Sequence, residues 1–270
     1  MGGRCGSSRA PARGGGGTVK AKTKAFRLSP LKARVFRLCR LRYRYQYVDR
    51  LPPRLRLQDT FGTCLHNTLS AFYRLPPNER DKARLLEIFE AKWSALSPRY
   101  RLLPGAEDLH RRGHDLLSQF AAAHDLHAKP FLLEPYLEVH IAPDILLVGR
   151  PDRVDEEGDY LHIIDYKTGE PPQEVDAVQL RFYAIMVQEG LARRVGRVSF
   201  WYLDGGRLWT ALIRPEDLAQ AQEEALTLAT EIRQEVIFPA SVGPHCAHCP
   251  FLSMCQYRDE IAQRRQAEGW

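Results

Sequence analysis

The sequence lacks any hydrophobic run long enough to cross a membrane, because no uninterrupted apolar stretch approaches the roughly 20 residues that a spanning helix needs. It also lacks the apolar core of a secretory signal, since residues 1–18 are mostly glycine, alanine, serine and arginine. We therefore expect a cytoplasmic protein whose six cysteines are thiols or metal ligands rather than disulfides. Neither a Gly-x-Gly-x-x-Gly fingerprint nor a P-loop is present, which argues against a nucleotide-binding fold of those types.

Acidic residues are nearly absent from the N-terminal fifth of the chain. The 270 residues carry 39 Lys and Arg against 33 Asp and Glu, a formal net charge of +6. Residues 1–24 hold six bases and no acid, and residues 25–56 hold ten bases and one acid. This asymmetry indicates an N-terminal part that faces a polyanion, although a solvated tail also explains residues 1–24. We predict a disordered basic tail over 1–24 and a single domain over 25–270.

Apolar spacing predicts helices in the first half of the chain and mostly strands in the second. Ser29 as N-cap and Pro30 at the first helical position open the first helix. The predicted elements are helices at 31–47, 59–72, 78–96 and 106–124, strands at 131–141, 145–154 and 160–166, a helix at 175–190, strands at 197–203 and 207–213, and a helix at 215–236. This order predicts an α/β fold with a mixed central β-sheet flanked by helices.

Two acidic residues lie on neighbouring predicted strands. With residues 156–159 as the hairpin turn, Asp152 and Asp165 are near neighbours, and a bulge or a diagonal pairing brings both carboxylates onto one face. Lys167 shares the face of Asp165 because side chains alternate along a strand. Two close carboxylates repel each other unless a cation neutralises them, which favours a divalent metal ion. A salt-bridged surface hairpin is the alternative, but the apolar pair directly before Asp165 indicates a buried strand.

Further short motifs accompany this hairpin in a fixed order. They are Gly62-x-x-x-His66, Gly149-x-x-Asp152, Asp165-Tyr166-Lys167-Thr168-Gly169 and Gln179-x-x-x-Tyr183. In this order the motifs resemble the RecB-type branch of the PD-(D/E)XK nucleases. That branch includes the CRISPR-associated RecB-like nucleases and the nuclease domains of AddAB-type repair enzymes.

The resemblance implies a deoxyribonuclease that depends on Mg²⁺ or Mn²⁺. Its implied metal ligands are His66, Asp152, Asp165 and the main-chain carbonyl of Tyr166. Its implied catalytic residues are Asp152, Asp165 and Lys167. Gln179 and Tyr183 would serve DNA handling and site architecture, although a tyrosine at this position can also simply pack. The branch further implies exonuclease action on single-stranded or end-containing DNA, in DNA repair or CRISPR spacer acquisition, with a helicase or CRISPR adaptation proteins as candidate partners.

Three cysteines near the C-terminus form a C-x2-C-x5-C pattern, namely Cys246, Cys249 and Cys255. Three thiolates so close together are typical of metal ligands, and a tetrahedral site or a cubane cluster then needs a fourth. Resemblance to the iron–sulfur members of the branch implies that Cys39 is the fourth ligand of a [4Fe–4S] cluster joining the N- and C-terminal parts. Zinc is the alternative, with His245 or His248 able to replace Cys39.

Arginines and tyrosines alternate directly after Cys39. Arg40, Arg42 and Arg44, with Tyr43 among them, combine phosphate-binding cations with a ring that can stack on an unpaired base. An amphipathic helix with a solvated arginine face is the other interpretation of this run. Two further functional classes stay open: a catalytically idle DNA-binding partner, which the intact carboxylate and lysine set argues against, and a zinc-stabilised interaction module in a repair complex.

Overall fold

The computed structural model describes residues 1–2, 25–54 and 56–270, so the predicted basic tail lies almost entirely outside the described residues. The helices are α1 (Pro30–Leu38), α2 (Arg40–Tyr43), α3 (Leu57–Tyr73), α4 (Lys82–Ser94), α5 (Pro98–Arg101), α6 (Ala106–Ala123), α7 (Val178–Leu191), α8 (Pro215–Gln234) and α9 (Arg258–Glu268). The strands are β1 (Phe26–Leu28), β2 (Leu132–Leu133), β3 (Leu137–Ala142), β4 (Ile145–Gly149), β5 (Arg153–Glu157), β6 (Tyr160–Lys167), β7 (Val195–Tyr202) and β8 (Arg207–Leu212). Among these helices, none is both long and apolar enough to cross a bilayer.

The first helix begins where the sequence predicts. The Ser29 side chain accepts a hydrogen bond from the backbone N–H of Lys32 at 3.2 Å, which satisfies one of the free donors of the first turn. The continuous helix predicted over 31–47 is wrong, because the backbone of Cys39 is extended and ends α1. Cys39 then caps the short α2, and a π-helical turn, Arg44–Val48, follows.

Two sheets replace the single central sheet that the sequence predicts. Three strands in the order β1-β4-β3 form one sheet, and five strands in the order β2-β5-β6-β7-β8 form the other. The larger sheet is mixed, since β6 and β7 run parallel while its other pairs are antiparallel. The strand predicted over 145–154 is divided between the sheets, because Pro151 cannot donate a ladder hydrogen bond and breaks it.

A similar break divides the strand predicted over 131–141. After β2, Glu134 adopts φ 48°, in the left-handed region, and the extended ladder ends there. The backbone N–H of Glu134 donates to the carbonyl oxygen of Asp152 at 2.9 Å. The two chain breaks therefore meet, and Asp152 is held in the gap beside the larger sheet rather than within a strand.

The hairpin of β5 and β6 is tighter than predicted. Glu157 pairs with Tyr160, so the turn contains only Gly158 and the residue after it, and Gly158 has φ +63° as such a turn requires. Arg153 consequently pairs with Ile164. Continued by one residue, this register would place Asp152 opposite Asp165 rather than diagonal to it.

The larger sheet lies between two apolar cores. Along β6, Ile163 packs into the core that contains residues of α1, α7 and α8, while Ile164 packs into the core that contains residues of α3, α4 and α6. Strand β6 is therefore buried on both faces, and it ends at Lys167. This burial delivers Asp165 to the edge of the core, between α3 on one side and α7 on the other.

Candidate active site

An imidazole from α3 and a carboxylate from the gap between β4 and β5 meet at the end of β6. Asp152 Oδ1 lies 3.0 Å from His66 Nδ1, and Asp152 Oδ2 accepts a hydrogen bond from the backbone N–H of Tyr166 at 2.8 Å. The His66 ring stands edge-on to the Tyr166 ring, with centroids 6.2 Å apart. Burial acts to lower the pKa of His66, but the hydrogen bond and charge of Asp152 outweigh it, so that pKa is raised. Asp152 is thus oriented by two neighbours although it belongs to no strand.

Asp165 is the most deeply buried carboxylate of this group, with 3% of its surface exposed. Its Oδ1 accepts a hydrogen bond from Gln179 Nε2 at 2.8 Å, and its Oδ2 lies 2.7 Å from the ammonium of Lys167. The second contact is an ion pair, because Oδ2 accepts no well-aligned hydrogen bond. Burial raises the pKa of Asp165 to about 6, with the charge of Lys167 opposing the rise and that of Asp152 adding to it.

Lys167 is held between the carboxylate and α7. Its Nζ donates to Gln179 Oε1 at 2.8 Å and lies 4.7 Å from the centre of the Phe200 ring. The same Gln179 amide donates to Tyr183 Oη at 3.2 Å, and Tyr183 itself is buried. Gln179 therefore orients Asp165 and Lys167 directly, and Tyr183 supports Gln179. Tyr183 is buried and offers no face to DNA, whereas Gln179 is half-buried.

The donor set of this group fits a hard divalent cation. It contains two carboxylates and an imidazole, and one buried carboxylate oxygen is left without a hydrogen bond. The mutual repulsion of the carboxylates contributes to the raised pKa of Asp165, and a divalent ion would relieve it. Within residues 25–54 and 56–270, no group of three or more His, Cys, Asp or Glu side chains is arranged so that it could hold a metal ion as it stands. The side chains instead pair with Lys167, Gln179 and one another.

Neighbouring elements approach two glycines of the motifs closely, most tightly at Gly149. A Cβ atom at Gly149 would lie 2.7 Å from Cε of Met186 and 2.9 Å from Cε1 of Tyr183. A Cβ atom at Gly62, one helical turn before His66, would lie 3.3 Å from Oγ1 of Thr168. These contacts bring α7 and α3 against the chain on either side of the carboxylates.

Asp204, which sequence reasoning missed, fixes the segment that follows Lys167. One Asp204 oxygen accepts the backbone N–H of Gly169, whose φ of +102° lies in the region open to glycine. The other oxygen lies 2.7 and 3.1 Å from two nitrogens of Arg112 on α6. No local pattern signals this contact, because it joins three segments that are far apart in the chain.

Asp204→Ala should lower the free energy of unfolding by about 1.5–3 kcal/mol, the range for a lost hydrogen bond to a charged group. The reason is that the Gly169 N–H and the Arg112 guanidinium both lose their acceptor. Urea denaturation measures the effect. Asp108→Ala is the matched control, because Asp108 is exposed and, among the residues that the structure describes, pairs only with Arg111 on its own helix. Equal stability of the two variants would contradict the role given to Asp204.

The structure separates the side chains that the sequence groups as DNA contacts. Tyr43 is buried, with its ring packed on other aromatic rings of the core, so it offers no face to a base. Arg40 pairs with two glutamates at 3.2 and 2.5 Å, and Arg44 pairs with Asp49 at 3.2 Å. Arg42 alone of the three arginines makes no ion pair with a described residue, and it lines a groove beside α3. Residues two apart on a helix point in different directions, which explains the separation.

The four cysteines singled out by their spacing line one small cavity of about 20 Å³. All four are free thiols, and Cys39 Sγ accepts the backbone N–H of Arg42 at 3.5 Å. Burial raises the pKa of both Cys249 and Cys255, and the neighbouring thiols of Cys39 and Cys246 contribute to the rise. The four thiols are donors of the kind that zinc and iron–sulfur centres use, whereas among the described residues no three of them are arranged as a metal site.

Comparison with known proteins agrees with this architecture. A crystal structure of a "Putative exonuclease" from Eubacterium rectale has the same fold with a TM-score of 0.52, at 8% identity over 82% of this chain and 86% of that chain. A crystal structure of SSO0001 aligns with a TM-score of 0.38, at 14% identity over 86% of each chain. No curated protein matches the sequence. The family model of the PD-(D/E)XK nuclease superfamily matches residues 27–256, which is most of the sequence, and the chain therefore belongs to that superfamily.

Proposed function

We propose that the protein is a metal-dependent deoxyribonuclease of the RecB-like branch that hydrolyses phosphodiester bonds. The observation that carries this proposal is that two pairs, His66 with Asp152 and Lys167 with Asp165, adjoin at the end of a buried strand, where Asp152 accepts the backbone N–H of Tyr166, the residue after Asp165. One ammonium offsets only part of the charge of two adjoining carboxylates at the edge of the core, and titratable groups perturbed in this way cluster at functional sites. The exonuclease name of the Eubacterium rectale structure supports cleavage from DNA ends.

His66, Asp152, Asp165 and the carbonyl of Tyr166 would hold Mg²⁺ or Mn²⁺. When bound, such an ion supplies positive charge against the phosphate and promotes ionisation of water. The protein's own groups do the remaining work. Lys167, fixed by the Gln179 carbonyl, would orient the attacking water and stabilise charge that develops on the phosphate. Gln179 also keeps Asp165 turned towards the lysine, so both groups are oriented before substrate binds.

The cysteine cavity supports a second part of the proposal, a [4Fe–4S] cluster held by Cys39, Cys246, Cys249 and Cys255. Cys39 lines the same cavity as the three C-terminal cysteines, which favours an all-cysteine set. Zinc is the alternative metal, and His245 also lines this cavity whereas His248 does not. The setting in DNA repair or CRISPR spacer acquisition, with a helicase or adaptation proteins as partners, belongs to the same proposal.

Wild-type protein should release nucleotides from end-labelled linear DNA with Mg²⁺ or Mn²⁺ and should release none with EDTA. The reason is that the negative carboxylates repel a phosphate that approaches them unless a bound divalent cation neutralises both. A time course on linear and circular DNA makes the measurement. Absence of metal-dependent cleavage of any DNA would contradict the nuclease, and DNA binding without cleavage would identify a catalytically idle partner. Degradation of circular DNA at the same rate as linear DNA would contradict exonuclease action.

A further inference from the structure

A groove of about 870 Å³ lies between the basic N-terminal segment, α3, the end of α4 and the segment that carries the C-terminal cysteines. Five cationic side chains line it, from α1, α2, the chain before α3, and α4. They are Arg34, Arg42, Arg54, Arg56 and Lys92. Asp59 is the only acid in the lining, and it lies 3.8 Å from Arg56. The groove therefore has a strong excess of positive charge.

The other four cations of the groove form no ion pair with any residue that the structure describes. A cavity of about 680 Å³ between α1 and α8 provides the contrast, because its arginines all pair with glutamates that line the same space. Those pairs are Arg37 with Glu224, Arg40 with Glu231 and Arg181 with Glu224. The arginines of the cavity between α1 and α8 are thus neutralised within the protein. The four unpaired cations of the groove are available to an external polyanion.

Arg42 lies between the groove and the cysteine cavity, because its side chain lines both. Its Nε is buried and has no hydrogen-bond partner among the described residues. No described carboxylate pairs with its guanidinium, and a phosphate oxygen in the groove is an acceptor of suitable charge for it. The His245 ring likewise lines both the groove and the cysteine cavity, with Nε2 buried and without a partner among the described residues, and the Tyr100 ring lines the groove. Aromatic rings beside a cationic track are the features with which proteins bind unpaired bases.

Helix α3 connects the groove with the candidate active site. Thr60, Thr63 and Asn67 line the groove, whereas Gly62 and His66 face the carboxylate group on the adjoining side of the same helix. Asn67 directly follows His66 in the chain, so the groove reaches the helical turn that carries the imidazole. A strand lying along α3 in the groove would have its end beside the carboxylates.

We propose that this groove binds single-stranded DNA and delivers one end to the carboxylate group, an inference that rests on the proposed nuclease function. The groove volume is within the range of about 300–1,000 Å³ typical of small-ligand pockets. Such a space accommodates a few nucleotides of one strand. A duplex, whose major groove alone is about 12 Å wide, presents its two backbones over a much broader surface.

The double variant Arg34→Ala/Arg54→Ala tests the groove, because both side chains are exposed and their loss leaves the core intact. We expect its affinity for a fluorescent oligothymidylate in EDTA to fall at least about tenfold. The slope of log affinity against log salt should become shallower by about 1.4, since each lost phosphate contact on a single strand contributes about 0.7. Fluorescence anisotropy over a salt series gives both quantities.

Lys82→Ala/Arg265→Ala is the matched control, since it removes two exposed cations that line no part of the groove. An equal loss of affinity in the control, wild-type affinity in the groove variant, or tighter binding of duplex than of single strand would overturn the inference. If the wild-type protein cleaves DNA and the groove variant binds single-stranded DNA as tightly as wild type, the groove inference is overturned while the nuclease proposal stands. Specific loss of binding in the groove variant, in a protein that does not cleave, would support the groove and contradict the nuclease.

Discussion

Asp165→Asn should reduce metal-dependent DNA cleavage at least about 10²- to 10³-fold, the range for removing one preorganised hydrogen-bond donor that stabilises a transition state. Asparagine keeps the shape of the side chain and an acceptor for Gln179, but it removes the negative charge that a divalent ion needs and that Lys167 pairs with. DNA binding in EDTA should stay within about twofold of wild type, because Asp165 is buried and does not line the groove. Initial rates on end-labelled DNA, with anisotropy for binding, provide the two measurements.

Asp159→Asn is the matched control for this experiment. Asp159 is an exposed carboxylate on the turn of the same hairpin, and its nearest cation, Arg194, lies 3.9 Å away. Its replacement should leave cleavage at the wild-type rate. Retention of rapid, metal-dependent cleavage by the Asp165 variant would remove Asp165 from the chemistry, and a similar loss in the control would point to a defect of the hairpin as a whole.

Cys249→Ser should abolish the visible absorbance and the iron and sulfide content of anaerobically purified protein. Serine removes one of the four sulfur donors around the cavity, and a three-thiol site cannot hold a cubane cluster as firmly. Because the binding free energy of a structural metal contributes to folding, we also expect the free energy of unfolding to fall by about 3 kcal/mol or more. For a domain of this size that corresponds to a fall in Tm of roughly 6–12 °C.

Cys64→Ala separates this effect from the general consequence of losing a buried cysteine. Cys64 is buried on α3 and does not line the cysteine cavity. Its variant should keep the iron content and the visible spectrum of the wild type. Stoichiometric zinc and no iron in the wild-type protein would show that the cysteines hold zinc and not an iron–sulfur cluster. Wild-type protein without any metal would contradict a metal centre at these cysteines.

The sequence predicted the elements of this fold better than their connections. Ser29 caps α1 as expected because capping depends on a few adjacent residues. The predicted strands at 131–141 and 145–154 each include a break, at Glu134 and Pro151, that periodicity does not reveal. Apolar residues occur on both sides of each break, so the division into two sheets follows from where each half finds a partner.

The sequence by itself determined which metal-binding and charged side chains are available and in which order they occur. They are an imidazole on an early helix, one carboxylate on each side of a hairpin, and a lysine two residues after the second carboxylate. One cysteine near the N-terminus and three clustered cysteines near the C-terminus complete the set. Those properties follow from local composition and from the periods of helix and strand. Only the tertiary structure decided that Asp152 leaves the strand, that Asp204 anchors the chain after Lys167, and that Arg42 faces a groove while Arg40 faces glutamates. Each of these outcomes depends on side chains contributed by distant segments, and a local pattern does not specify which segments will meet.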